Sequence, residues 1–464
     1  MDEFEKLRAV VGRLEQYSTS RYQVKFYLNV AVTATYTLPE SFTLPTKDYI
    51  YRACETLIGQ HPVLSAIPAA EETQQPYFVR LPQINLDQAV SFEPRKNIPT
   101  ESADGEPSPD LDLEALLEVQ HNTPFAELSP NWRLCILTNP VNDREFTAAF
   151  VFHHALGDGN SGKAFHRTFL QALHSAPTAV ETKSQIQSPQ EPLLPNIEAL
   201  HPMPLSIFYL AKQLFKAKIW SPSETGLWAG SEVQTPVTTR LRLLPFSKDV
   251  VASLRGQCRK EGTTITAFLQ TMIARSLFAH LPDVYSLLIC SGALSCRRWL
   301  PDIITDDSIG VYVSDFEEKY RRTSVMSSNG LFPWDETRRS RQTIEAVLEL
   351  KGRDAKPNLL KFVDNYQQEL CMSKLGQKRD KTFEVSNIGA FQAESDPGRP
   401  SIGGMVFSQC ASVIGNAIEI STISGPDGCL VLGISWQDSV VEESLMEVFI
   451  KSTKDEMRRL AGCS

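Results

Sequence analysis

Residues 146–154, FTAAFVFHH, are apolar on both alternating faces up to the two histidines that end them. Successive strand side chains point to opposite sides, so such a run is stable only where layers cover both faces of its sheet. The chain must therefore build a sheet packed above and below, and the end of this strand lies inside the protein. WRLCIL (Trp132–Leu137) precedes it across the turn-forming NPVNDRE, which implies a hairpin or adjacent strands. Beyond ALGDGNSG, the residues Ala164, Phe165, Phe169, Ala172 and Leu173 recur at helical spacing, so the strand feeds a helix.

The remaining chain repeats this mixture. Strands are expected at Tyr22–Leu38, His61–Ile67, Thr238–Phe246, Val284–Leu294, Ser308–Phe316, Phe383–Gly389, Met405–Val413, Ile418–Ser424 and Cys429–Gln437. Helices are expected over the first sixteen residues, at Lys47–Gln60, Leu111–Val119, Ser206–Trp220, from Ser247 to Lys260, from Thr264 or Thr266 onward, and at Trp334–Leu350 and Glu442–Leu460. There is no regular βαβ alternation, so α/β (α+β) sandwich layers fit better than a doubly wound sheet. The 464 residues exceed what one core organises. Two domains are expected, 1–175 and 236–464, with part of the second crossing over to the first. Between them, 176–235 reads as a linker, Pro-rich at Pro177, Pro189, Pro192 and Pro195 and carrying an amphipathic helix.

Composition narrows the function. A net charge of −9 argues against nucleic acid, which needs clustered cations to displace counterions. Nine scattered cysteines without a C-x-x-C pair read as reduced thiols. The acidic start is unlike a signal peptide, and no stretch approaches the roughly 20 apolar residues of a membrane span. A cytoplasmic protein is expected, and a monomer. The segment Ser206–Trp220 interleaves Phe208, Leu214 and Phe215 with lysines. A peripheral contact on endoplasmic reticulum or lipid droplet competes there with the plainer reading, a helix covering a domain.

The chemistry-bearing feature is His153-His154-Ala155-Leu156-Gly157-Asp158-Gly159. Adjacent strand residues face opposite ways, so the two imidazoles do not share one small ligand, and no other histidine is spaced to complete a metal site. No metal and no permanently bound cofactor is expected. A neutral imidazole can instead take a proton from an attacking hydroxyl and return it to a leaving group. Against this stands a plain alternative: two satisfied core histidines, with Asp158 capping the next helix.

HHALGDG is similar to the HHxxxDG signature of the superfamily that contains chloramphenicol acetyltransferases, plant acyltransferases, carnitine acyltransferases and peptide-synthetase condensation domains. Within it the chain most resembles the fungal alcohol O-acetyltransferases, through LRAVVGRLEQYSTSRYQVKFYLNV, LIGQHPVLSAI, PNWRLCIL, RGQCRKEGTTITAFLQTMIA, SCRRWLP with DSIGVYV, EVSNIG and FSQCASVIGNAIEISTIS. The DFGWG motif of the plant branch is absent.

The resemblance implies two similar chloramphenicol-acetyltransferase-like α/β sandwich domains with a solvent channel between them. Acetyl-CoA or another acyl-CoA, as co-substrate, and a small-molecule alcohol would meet at the second motif histidine, His154, the general base, with no acyl-enzyme. Asp158, grouped with His154 in the catalytic motif, would be held by an arginine of the second domain, Arg297 or its neighbour Arg298. His153 and Gly159 would shape the turn. Ser412, Ser386 and Asn387 are the expected substrate-side donors. For Phe407 and Trp436, apart from the resemblance, core packing is the plainer reading and shaping the acceptor pocket the alternative. Three rivals remain: a catalytically inert binding or scaffold relative, an amide-forming condensation enzyme, and a thioester hydrolase.

Overall fold

The computed structural model describes residues 5–8, 12–100, 105–175, 182–218, 224–326, 330–393, 396 and 398–463. Two open sheets dominate it. The first has five strands in the order Ser401–Gln409, Val30–Thr37, Glu145–Phe152, Trp132–Thr138, Val90–Pro94. Glu145–Phe152 is its middle strand, antiparallel to both neighbours, with Phe152 facing Val30 on one side and Trp132 on the other.

The two apolar faces of that strand are both used. Ala148, Phe150 and Phe152 pack with helices Thr46–Gln60 and Gly159–His174, where the rings of Phe150 and Phe165 stack at 3.8 Å. Ala149 and Val151 face the other way, against Leu113 and Leu117 of helix Leu111–His121 and against Leu241 and Leu243. The two-sided pattern in the sequence is thus the signature of a strand between two packed layers.

The second sheet has six strands in the order Thr239–Phe246, Leu430–Gln437, Ile418–Ser424, Phe383–Ala390, Leu287–Ser295, Val313–Arg321. Its central pairs are parallel and its outer pairs antiparallel. Helices Lys248–Lys260, Ile265–His280, Trp334–Glu349 and Glu443–Ala461 cover it. Buried Phe268, Met272, Ile420, Leu432 and Phe449 fill the space between. Ser401–Gln409 leaves the second half of the chain to pair with Val30–Thr37, and Ser435 of the second sheet donates to the carbonyl of Gln409 at 2.7 Å. The sheets are stitched together beside the end of the motif strand. The chain is an α/β protein of two sheet-centred layers, as expected.

Several local expectations fail for identifiable reasons. The first helix is Arg13–Gln23, not the opening sixteen residues, because Glu5–Arg8 is drawn into a strand beside Tyr77–Arg80 and Glu5 pairs with the buried Arg80 at 3.0 Å. The next strand begins only at Val30, since Lys25 turns the chain with φ of 59°. Ser308–Tyr312 is a turn rather than a strand, because it wraps Asp158, and the strand starts at Val313. Residues 410–416 leave the sheet after Gln409, and Ser412, Ile414, Gly415 and Asn416 line the site.

Part of the linker is structured, Gln185–Gln187 pairing with Gln83–Asn85. Residues 176–181 and 219–223 lie outside the described residues. Ile207–Lys218 is helical, but Ile207, Phe208 and Leu214 are exposed rather than packed onto a domain. Among the described residues no helix is long and apolar enough to cross a membrane.

Candidate active site

Immediately after the motif strand the chain turns back, the amide of Leu156 donating to the carbonyl of His153, and helix Gly159–His174 begins. Asp158 caps that helix by accepting from the Ser161 amide at 3.0 Å. The same carboxylate receives both terminal nitrogens of Arg297, at 2.7 and 3.0 Å, and the amide of Tyr312 at 3.0 Å. Burial raises the Asp158 carboxyl, but Arg297 and these donors outweigh it and hold it below its ordinary range. Arg297 is buried and also reaches the carbonyl of Ser308, whereas Arg298 is exposed. The geometry chooses Arg297. Among the described residues every hydrogen bond to the Asp158 carboxylate comes from this clamp and none from His154, so the contacts it makes are those that fix the turn.

Gly159 is required by close approach. A Cβ there would lie 2.6 Å from Ile388 Cγ2 and 3.0 Å from Phe407 Cζ.

The two histidines part as strand geometry demands. His153 turns into the protein, buried, with Nδ1 accepting from the Ala155 amide at 2.9 Å and its ring edge-on to Tyr22 at 4.4 Å. That bond places the proton on Nε2, 3.9 Å from Glu71. His154, half-buried, turns into a cavity of about 390 Å³ between the sheets. Burial, followed by the charge of Arg21, lowers its imidazole to about 4, even though the carbonyls of His154 and Gly157 and the Asp158 carboxylate pull upward. The ring is therefore neutral near pH 7, and its Nδ1 has no hydrogen-bond partner of good geometry among the described residues. The other buried histidines are occupied: His166 between Tyr36 and the carbonyl of Val32, His121 between Asn29 and Ser408.

Of the expected substrate-side residues, Ser386 and Ser412 line the cavity. The Ser412 hydroxyl donates to the carbonyl of Ile414, so it is not free to act as a donor, while the Ser386 hydroxyl makes no hydrogen bond among the described residues. Asn387 is not part of the cavity wall. Strand alternation turns it outward, where Nδ2 donates to Thr266 at 2.9 Å and Oδ1 accepts from the Gly389 amide at 2.8 Å. Phe407 faces the cavity, and Trp436 belongs to the core.

The structure adds residues that sequence reasoning did not identify: Tyr17, Arg21, Tyr27, Lys381, Glu384, Gln409, Asn416 and Glu419 all border the cavity. Arg21 lies between the rings of Tyr17 and Tyr27, 4.2 and 4.3 Å from their centroids. A usable signal existed. Phe383-Glu384-Val385-Ser386 and Ile418-Glu419-Ile420-Ser421 each set a lone glutamate between apolar residues in an otherwise buried strand.

Comparison with known proteins agrees with this architecture. A profile of the alcohol acetyltransferase family matches residues 10–455. "Probable alcohol acetyltransferase crmB" of Aspergillus fumigatus is 33% identical over 458 residues, covering 94% of this chain and 96% of that protein. "Probable alcohol acetyltransferase FCK4" of Fusarium pseudograminearum is 22% identical, covering 94% and 92%.

Among solved structures, the TRI3 trichothecene 15-O-acetyltransferase of Fusarium sporotrichioides superposes with a TM-score of 0.71 at 16% identity, over 98% of this chain and 95% of that one. The first condensation domain of the calcium-dependent antibiotic synthetase gives 0.66 at 11%, over 98% of each chain. These distant likenesses concern the fold. The profile and the 33% relative, each spanning nearly the whole chain, concern descent: this protein belongs to the alcohol acetyltransferase family.

Proposed function

We propose that the protein transfers an acyl group, acetyl by preference, from acyl-CoA to an alcohol hydroxyl, with His154 as general base. One observation carries the reading. A neutral imidazole stands at the end of a buried strand and faces an interior cavity. Its low basicity keeps it unprotonated, and its position removes it from bulk water.

The steps follow from those groups. His154 takes the hydroxyl proton as the oxygen adds to the thioester carbonyl, forming a tetrahedral intermediate. Collapse breaks the carbon–sulfur bond, and the departing thiolate recovers the proton from the imidazolium. Ser386, whose hydroxyl is uncommitted and faces the cavity, is the side chain we assign to the developing oxyanion. Asp158 and Arg297 act at one remove by fixing the turn that carries His154.

The test is to incubate the purified protein with several acyl-CoAs and a panel of alcohols and amines, with mass detection of products. Esters formed with thiol release support the reading. Amides alone, or free acid without ester, would replace it with condensation or hydrolysis.

A further inference from the structure

The cavity wall contributed by the second sheet carries two carboxyl groups that the transfer steps leave unused. Glu384 and Glu419 occupy neighbouring parallel strands and stand directly opposite each other in register, so both project from one face of the sheet into the cavity. Glu419 is 4% exposed, its side chain accepts no hydrogen bond among the described residues, and Oε2 is sealed from solvent. Among the described residues Glu384 is held only by long contacts of 3.4 Å from Gln409 and Asn416. Arg21, clamped between its two tyrosines, forms no ion pair among the described residues, and its Nε is likewise sealed without an acceptor. Buried polar groups are normally satisfied, so two without partners and a third held by long contacts, around one cavity, mark a place where hydrogen-bonding partners arrive with a ligand.

The wall is continuous with the base. The Tyr27 ring lies 5.8 Å from that of His154, its hydroxyl donates to Gln409 at 2.9 Å, and the Gln409 amide reaches Glu384. The charges select the ligand's character. Lys356 and Lys381 are already balanced by Asp315 and Glu317. Burial raises Glu384 and pushes Glu419 far up, with Glu384 adding to the rise, while Arg21, Lys381 and, for Glu419, Arg379 pull the other way, so the pair sits among charges of both signs. An ammonium on the ligand would meet Arg21, a carboxylate would meet the glutamates, and an alkyl chain would leave Arg21 and Glu419 unsatisfied.

We propose that the acceptor is a neutral polyhydroxylated molecule, presenting one hydroxyl to His154 while others bind Glu384, Glu419 and Arg21. A cavity of about 390 Å³ is of the size that holds an extended small molecule. This inference rests on the acyl-transfer reading and deepens it.

A six-carbon series tests it: sorbitol, 1-hexanol, 6-aminohexan-1-ol and 6-hydroxyhexanoate, each with acetyl-CoA. Sites built to bind hydroxyls reject analogues lacking them strongly, so kcat/KM for sorbitol is expected to exceed that for 1-hexanol by about 100-fold or more. In Glu419→Leu the ratio falls at least about tenfold, and in Glu419→Gln, which keeps an acceptor and a donor, it falls less. Preference for any other member of the series overturns the proposal, and this comparison requires only the wild-type protein. His154-dependent esterification of 1-hexanol without any of sorbitol sinks the polyol and leaves acyl transfer standing. Calorimetric binding of sorbitol, lost in Glu419→Leu, in a protein that makes no ester upholds the polyol site and sinks acyl transfer.

Discussion

Replacing Asp158 with Asn separates a residue that holds the site from one that reacts in it. The carboxylate accepts from both terminal nitrogens of Arg297, from Tyr312 and from the helix start at Ser161, and the side chains of Asp158 and Arg297 are each 5% exposed. Asn caps a helix about as well as Asp, so the cap contributes little to the difference. The loss comes from Arg297, which keeps its charge in a buried setting and now faces an amide nitrogen that cannot accept. Removing one partner of a buried, hydrogen-bonded pair costs about 3–5 kcal/mol, and at this exposure solvent screens little of it.

Urea unfolding should show a loss of that order in Asp158→Asn. A double variant with Arg297→Met should fall short of the summed single losses by about 1–3 kcal/mol, because the second change removes the stranded charge. Turnover should fall with the stability loss, since the turn bearing His154 loosens. An Asp158→Asn protein with an unchanged urea midpoint and abolished turnover would show that the carboxylate takes part in the chemistry, and the positioning argument would be wrong.

Three further outcomes follow from the site and its surroundings. With His154 lowered to about 4, the base form is present above that pH and lost as pH falls through it. The value of kcat/KM at pH 5.5 should stay within about twofold of that at pH 7.5, whereas an ordinary imidazole near 6.5 would give a drop of about tenfold. Gly159→Ala should cost about 1–3 kcal/mol and raise the acceptor KM, because its Cβ displaces Ile388 and Phe407; unchanged kinetics and stability would show that the turn is looser than the contacts imply. The exposed Ile207 and Phe208 should carry the protein up with anionic vesicles in a flotation gradient, and flotation unaltered by Ile207→Ser with Phe208→Ser would leave that helix without a membrane role.

What could be read from the sequence was whatever one segment declares by itself. The two-sided apolarity of 146–152 places that strand between layers, and alternation sends His153 and His154 opposite ways. The ion pair of Asp158 with Arg297 joins residues 139 positions apart, and only the family resemblance pointed to it. Glu384 and Glu419 stayed hidden for a similar reason. A single glutamate in a strand says nothing of its partner until parallel pairing sets the two side by side. Arg21 was passed over because a cation on an amphipathic helix ordinarily meets water, and here the tyrosines on either side draw it into the cavity. The displaced first helix and the turn at Ser308–Tyr312 are cases where a distant contact, Arg80 or Asp158, overrode local preference.

The most direct measurement follows thiol release from acetyl-CoA in the presence and absence of an accepted alcohol, for wild type and for His154→Ala. A positioned base contributes about 10²–10⁴ in rate, so the variant should bind acetyl-CoA as before, lose alcohol-dependent release by at least about 100-fold, and accumulate no acetylated protein. Release by the variant at the wild-type rate would place the proton acceptor elsewhere and contradict the account at its centre.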